Sequence, residues 1–308
     1  MKLLNTFSIL FTLTAISNTN IGISQNESTN PILEKNYWES YSIEDKDFGT
    51  KTYVTLTKVY RKMTTNALPN HETGQFPNVG NPNKITAQNL TYEIPLNPKL
   101  SGKSNWVREP GVALNGVKFE PETAERFVCE TGEVYRIEAF QELLDLGLDQ
   151  NNAHVQPTGA YHYHGIPTGL INSLNPKDDI VHVGFAMDGF PIYYSQSGQY
   201  KPSFQLSEKL RTGDACSYKN PHQNLELDLN DSAPDGIFVS DWVFIEGLGD
   251  LDECNGTLLN GSYVYFVTDE YPYMSRCLKG IFKEESRPGP PPNHRHAPNQ
   301  HMPPPRRN

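Results

Sequence analysis

The chain has 308 residues, a formal net charge of −10, four cysteines and 36% hydrophobic residues. That length holds one large domain or two small ones with a sizeable core. The acid lies in the body, since Lys2 and the four arginines after Ser286 leave both ends basic; such a body repels phosphate backbones and argues against nucleic acid as a partner.

The start, "MKLLNTFSILFTLTAISNTNIGIS", predicts a secretory signal peptide over 1–24. Lys2 supplies the charge, Leu3–Ile16 the short apolar run, and Gly22 and Ser24 the small residues before a cut. A buried N-terminal helix is the alternative, but the Asn/Ser/Thr-rich stretch 17–30 does not continue one. No later run approaches the ~18–20 apolar residues of a membrane span. A secreted chain, extracellular or periplasmic, is therefore expected. Its cysteines, Cys129, Cys216, Cys254 and Cys277, then read as two disulfides with three pairings open. A thiolate metal site would want a C-x-x-C spacing, which is missing.

Residues 25–74 read as an N-terminal strand or arm region, with 25–50 an arm or edge strand and "KTYVTLTKVYRKM" (51–63) a strand. "LPNHETGQFPNVGNPNK" (68–84) is dense in turn formers and predicts a long loop. The main domain follows over 75–285. "NLTYEIPL" and "GVALNGVKFEP" look like strands, with Asn115–Gly116 suited to a type I′ hairpin turn. "YRIEAFQELLDLG" (135–147) has apolar residues at helical intervals and predicts a short helix stopped by Gly147. "DIVHVGFAMDGFPIYY" and "DGIFVSDWVFIEG" are strand-like. The tail, 286–308, is too rich in proline to pack. Its His294, His296 and His301 are either weak chelators or solvated and idle. The fold class expected is mainly β, sandwich-like or an irregular β-rich α+β domain, with one or two short helices.

"GAYHYHG" (159–165) alternates tyrosine and histidine between glycines. On a strand, Tyr161 and Tyr163 share one face, and His162 and His164 the other, with Cβ atoms roughly 7 Å apart. "LDQNNAHVQPTGAYHYH" (148–164) also has an echo in "LDECNGTLLNGSYVYF" (251–266). This predicts an internal repeat of a turn-plus-strand unit. Val264 and Phe266 stand where His162 and His164 stand, so the histidine face is expected to point inward. Two buried imidazoles need partners. Either they satisfy hydrogen bonds, or they start a Zn, Cu or Fe site with His154, His182 and Asp188 nearby. Asp149 and Asp252 are further carboxylates, with an Asx-turn as their commoner use. An open coordination position would permit hydrolytic or redox chemistry. Serine, cysteine and paired-carboxylate catalysis have no supporting motif. The tyrosines clustered near the two segments, Tyr161, Tyr163, Tyr193, Tyr194, Tyr263, Tyr265, Tyr271 and Tyr273, could line a glycan surface or pack inside. The rival function is thus a non-catalytic binding module for a small molecule or extracellular glycan.

"GAYHYHGIPTGL" resembles the signature of the YHYH-domain proteins, a largely uncharacterised secreted family. Residues 81–100, 111–121, 182–194, 251–256 and 271–280 fit the same family in order. The resemblance implies a β-rich extracellular domain with disulfides and no assignable activity. It marks His154, Tyr161, His162, Tyr163, His164, His182, Asp188, Asp252 and Asn255 as motif positions, and Cys254 with Cys277 as a pair. Asn151 stands where the family often has a cysteine, and Val264 where it often has a histidine.

Overall fold

A computed structural model describes residues 36–220 and 223–283. The expected leader (1–24) and tail (286–308) lie outside the described residues. Four strands come first and pair antiparallel in chain order: β1 (Tyr41–Glu44), β2 (Lys51–Leu56), β3 (Tyr60–Thr65) and β4 (Leu90–Pro95). The single strand expected over 51–63 is a hairpin. The Thr57 side-chain oxygen accepts the Tyr60 N–H at 2.9 Å and turns the chain there. The loop expected over 68–84 is free of strand and helix.

The chain continues through β5 (Leu100–Trp106) and three hairpins: β6 (Gly111–Ala113) with β7 (Lys118–Phe119), β8 (Arg126–Val128) with β9 (Val134–Arg136), and β10 (Ala153–Val155) with β11 (Tyr161–Tyr163). Helix α1 (Thr168–Leu174) leads to the hairpin β12 (Ile180–Ala186) and β13 (Pro191–Ser195). Then come β14 (Phe204–Leu206), the pair β15 (Cys216–Asn220) and β16 (Gln223–Leu227), β17 (Trp242–Phe244), the hairpin β18 (Gly256–Leu259) and β19 (Ser262–Val267), and β20 (Cys277–Gly280). From Tyr37 onward these residues form one compact, mainly β unit.

An eight-stranded sheet, in the order β10-β11-β7-β6-β12-β13-β19-β18, organises the molecule. Alternation gives it two faces. On one, Val112, Leu114 and Phe185 pack against Tyr41, Ile43, Val54, Met63, Tyr92 and Ile94 of the four-stranded sheet. On the other, Tyr161, Tyr163, Val183, Ile192 and Tyr265 pack with Leu170 of α1, Met274 and Leu278. A separate sheet, β16-β15-β8-β9, buries Phe127, Tyr135 and Phe238 with the Cys129–Cys216 disulfide. The second disulfide joins Cys254 to Cys277, the pairing implied by the family resemblance.

Two expectations fail locally. The segment 135–147 is not a helix. Val134–Arg136 is the strand β9, and Ile137 bridges to Phe238. Tyr135 and Ile137 therefore alternate inward with period two, and tertiary pairing overrides the helical spacing of the same residues. Further on, Gln141 and Asp145 turn the backbone with their own side chains. The one α-helix among the described residues, α1, lies instead in the stretch after the tetrad. The turn at Asn115–Gly116 is not type I′ either, since only Gly116 has positive φ, 86°. Ala113 accepts the Gly116 N–H and donates to Val117, the three-residue hairpin loop with glycine at the left-handed position.

Candidate metal centre

The tetrad hairpin is built by the same kind of loop. Gln156 donates to Ala160, Gly159 donates back to Gln156, and Gly159 takes φ 84°. Its register sets His154 directly across from His162. On the other side, β7 runs parallel to β11 and sets Lys118 beside His162. Three neighbouring strands therefore show one polar face: His154 and Gln156, then His162 and His164, then Lys118 and Glu120.

His162 and His164 are buried, at 2% and 1% exposure, while His154 is half-buried at the edge. One ring nitrogen of each lies within 4.8 Å of those of the other two. The Nδ1 atoms sit on backbone carbonyls: His154 on Leu146 at 2.8 Å, His162 on Ala160 at 3.2 Å and His164 on Pro121 at 3.4 Å. A carbonyl only accepts, so in the tautomer that satisfies these contacts Nδ1 carries the hydrogen and Nε2 keeps its lone pair. The Nε2 atoms of His154 and His164 are 3.0 Å apart. Burial, first of all, pushes all three imidazoles below the usual histidine range. For His162, repulsion from His154 and Lys118 adds to it, and for His164, repulsion from His154 and His162 does. In that tautomer three neutral imidazoles offer acceptor nitrogens that a cation between them could engage.

Beside them lies a buried ion-pair chain that nothing in the sequence singled out. Glu120, 1% exposed, accepts Lys118 Nζ at 2.7 Å, Gln156 Nε2 at 2.7 Å and Arg108 Nε at 2.5 Å. Burial raises the Glu120 carboxyl, but Lys118 and Arg108 outweigh it and hold it below the ordinary range. The only trace in the sequence is the Lys118-x-Glu120 spacing, which places both on one strand face.

His182 and Asp188 lie outside this cluster. The His182 ring stacks on Trp38 at 4.7 Å, touches Phe185 and Tyr193, and bonds the Gly184 carbonyl through Nε2. Burial, with Arg61 nearby, brings it down to about 3. Asp188, wholly buried, accepts Tyr265 OH at 2.6 Å and the Gly280 N–H at 2.9 Å. Its carboxyl is raised by burial despite those donors.

The tyrosines of the tetrad face the opposite way. Tyr161 donates to Asp149 at 2.7 Å, and the Tyr163 hydroxyl meets His71 Nε2 at 2.6 Å and Asn115 Nδ2 at 3.0 Å. Tyr161, Tyr163, Tyr263, Tyr265 and Tyr271 are all buried, so these five do not line an open glycan surface. Asp149 holds its turn by accepting from the Asn151 and Ala153 N–H groups as well as from Tyr161. Asp252 does the same with Cys254, Gly256 and Tyr263. Asn255 is buried and donates to Phe266 O and Thr268 Oγ1. Asn151, at the sequence position that corresponds to Cys254, makes polar contacts instead, to Glu72 O and from the Gly169 N–H.

Residues 91–280 match the sequence profile of the YHYH protein family. The chain belongs to that family. No curated protein and no solved structure matches it. The tetrad that gives the family its name is thus, in this YHYH protein, the strand that carries two of the three clustered histidines. No helix among the described residues is long and apolar enough to cross a membrane.

Proposed function

We propose that this YHYH protein is a secreted metal-binding protein whose ion is held by Nε2 of His154, His162 and His164. The observation that carries the reading is the convergence of three histidines, one ring nitrogen of each within 4.8 Å of the others, with Nδ1 of each on a backbone carbonyl of Leu146, Ala160 or Pro121. Outer bonds from Nδ1 to carbonyls are the usual support for histidine ligands. Three neutral nitrogen ligands suit Zn(II), Cu(II) or Fe(II), and leave a coordination position for a fourth partner. His182 and Asp188 are no part of this set. Secretion fits two disulfides, which persist in oxidising compartments.

The test is metal content by mass spectrometry of the full chain, purified untagged from an oxidising compartment, beside H162A/H164A and H154A. About one equivalent in the parent, lost in both variants with near-UV dichroism unchanged, is the expected result. The variants keep the tail histidines, so the difference belongs to the hairpin. No retained metal in the parent after incubation with zinc and copper would overturn the reading.

A further inference from the structure

We infer that the position left open on the histidine-bound ion takes a small oxyanion from solution, of carboxylate or phosphate type, gripped by the Arg108 guanidinium. This rests on the metal reading above. The charge balance points to it first. Three neutral imidazoles leave the charge of a divalent ion uncompensated, and the nearest ion-pair chain cancels itself. Lys118 spends its three donors on Glu109 Oε1 (2.8 Å), Glu120 Oε2 (2.7 Å) and Gln156 Oε1 (3.0 Å). It has none left for a ligand.

Arg108 differs. Its Nε is fixed on Glu120 Oε1, while both terminal nitrogens have no hydrogen bond among the described residues, the carboxylates of Glu109 and Glu122 act on the guanidinium only electrostatically, and the side chain is 48% exposed. A guanidinium held at Nε presents its two outer nitrogens as a fork, the geometry that matches carboxylate and phosphate oxygens. The tether is short. Glu120 bonds Arg108 with one oxygen and Gln156 with the other, and Gln156 stands two residues from His154 on the same strand face. Arg108 is thus set one carboxylate away from the histidine face and opens to solvent, as does half-buried His154.

The internal rival is Glu125, a half-buried carboxylate that acts on His154 and has no hydrogen bond among the described residues. If it filled the open position, the ion would need no outside anion.

The experiment uses the full chain loaded with cobalt(II), whose visible spectrum reports its coordination. Cobalt stoichiometry is measured first; a parent that binds none defeats the metal reading itself, and the inference with it. With cobalt bound, acetate and inorganic phosphate are titrated separately into the parent, R108Q, R108K and E125Q. A saturable spectral change with one of the anions is expected, and which one tells carboxylate from phosphate. R108Q should weaken it at least tenfold at unchanged cobalt content, and R108K, which keeps charge without the fork, should fall between. Glu120 keeps Lys118 and Gln156 in these variants, so the buried carboxylate stays paired. No response in the cobalt-loaded parent, an equal response in R108Q, or a response that only E125Q reveals would each overturn the inference.

Discussion

The β10–β11 and β18–β19 hairpins are built alike and used differently. Each begins with an aspartate that accepts two backbone N–H groups of its own turn and a tyrosine hydroxyl: Tyr161 to Asp149 at 2.7 Å, Tyr263 to Asp252 at 2.8 Å. Each bends at an asparagine of positive φ, Asn152 at 55° and Asn255 at 58°, whose carbonyl accepts the N–H of His164 or Phe266, both at 2.8 Å. The bonds that hold the turns are the same; the faces are not. One carries His162 and His164, the other Val264 and Phe266, which pack with Leu251 in a small apolar cluster. Scaffold and chemistry are therefore separable: backbone and Asp–Tyr bonds make the unit, and the alternate side chains decide whether it binds or only packs.

The largest effect comes from breaking the shared part. Asp149→Ala removes the acceptor for Asn151, Ala153, Tyr161 and also the Gly74 N–H. It should cost about 3–4 kcal/mol in urea unfolding and release the metal. Asp252→Ala removes only three of the equivalent bonds and should cost about 2–3 kcal/mol while metal stays bound. Equal costs, or metal loss from Asp252→Ala, would mean the two turns are not independent supports.

Next is the exchange of faces, His162→Val with His164→Phe. Metal binding should vanish while the metal-free protein stays folded. Its pH response should also flatten. The folded-state values of His162 and His164 are depressed, so their contribution is present above the unfolded value near 6.5 and is lost as pH falls below it. Each accounts for about 1.4 kcal/mol per pH unit. Chelator-treated parent should therefore lose stability between pH 6.5 and 5 more steeply than the exchanged variant. Parallel curves would show that the histidines are not held neutral.

The smallest contrast lies in the loops. Gly159 and Gly261 have nearly equal φ, 84° and 82°. A Cβ on Gly159 would stand 1.9 Å from Thr86 Oγ1, whereas one on Gly261 meets nothing within 4 Å. Gly261→Ala should cost about 1 kcal/mol, the left-handed strain alone, and Gly159→Ala about 2–3 kcal/mol by thermal unfolding. Similar values would mean that the Thr86 loop gives way freely.

Much of this was legible in the sequence, for reasons that are local. Alternation marks β2, β3 and β4, and the H-x-H spacing puts two imidazoles on one face whatever surrounds them. The apolar counterparts Val264 and Phe266 pointed that face inward. His154 was legible as a neighbour because a short hairpin brings its ends together. His182 is as suggestive in sequence, yet it sits on β12, which the sheet order separates from β11 by β7 and β6. The ion-pair chain was not legible, because Lys118, Glu120, Gln156 and Arg108 come from three separate segments.

The sequence by itself determined what depends on the period of a strand and the chemistry of a turn: the β class, the histidine and tyrosine faces, and the Asp–Asn–Gly corners. Tertiary structure alone decided which faces are covered, that 135–147 pairs as a strand instead of coiling, and that the carbonyls of Leu146 and Pro121 orient two of the three imidazoles. The physical reason is range. Backbone sterics and side-chain alternation act within a few residues, whereas burial and hydrogen-bond partners across strands are fixed only when distant segments meet.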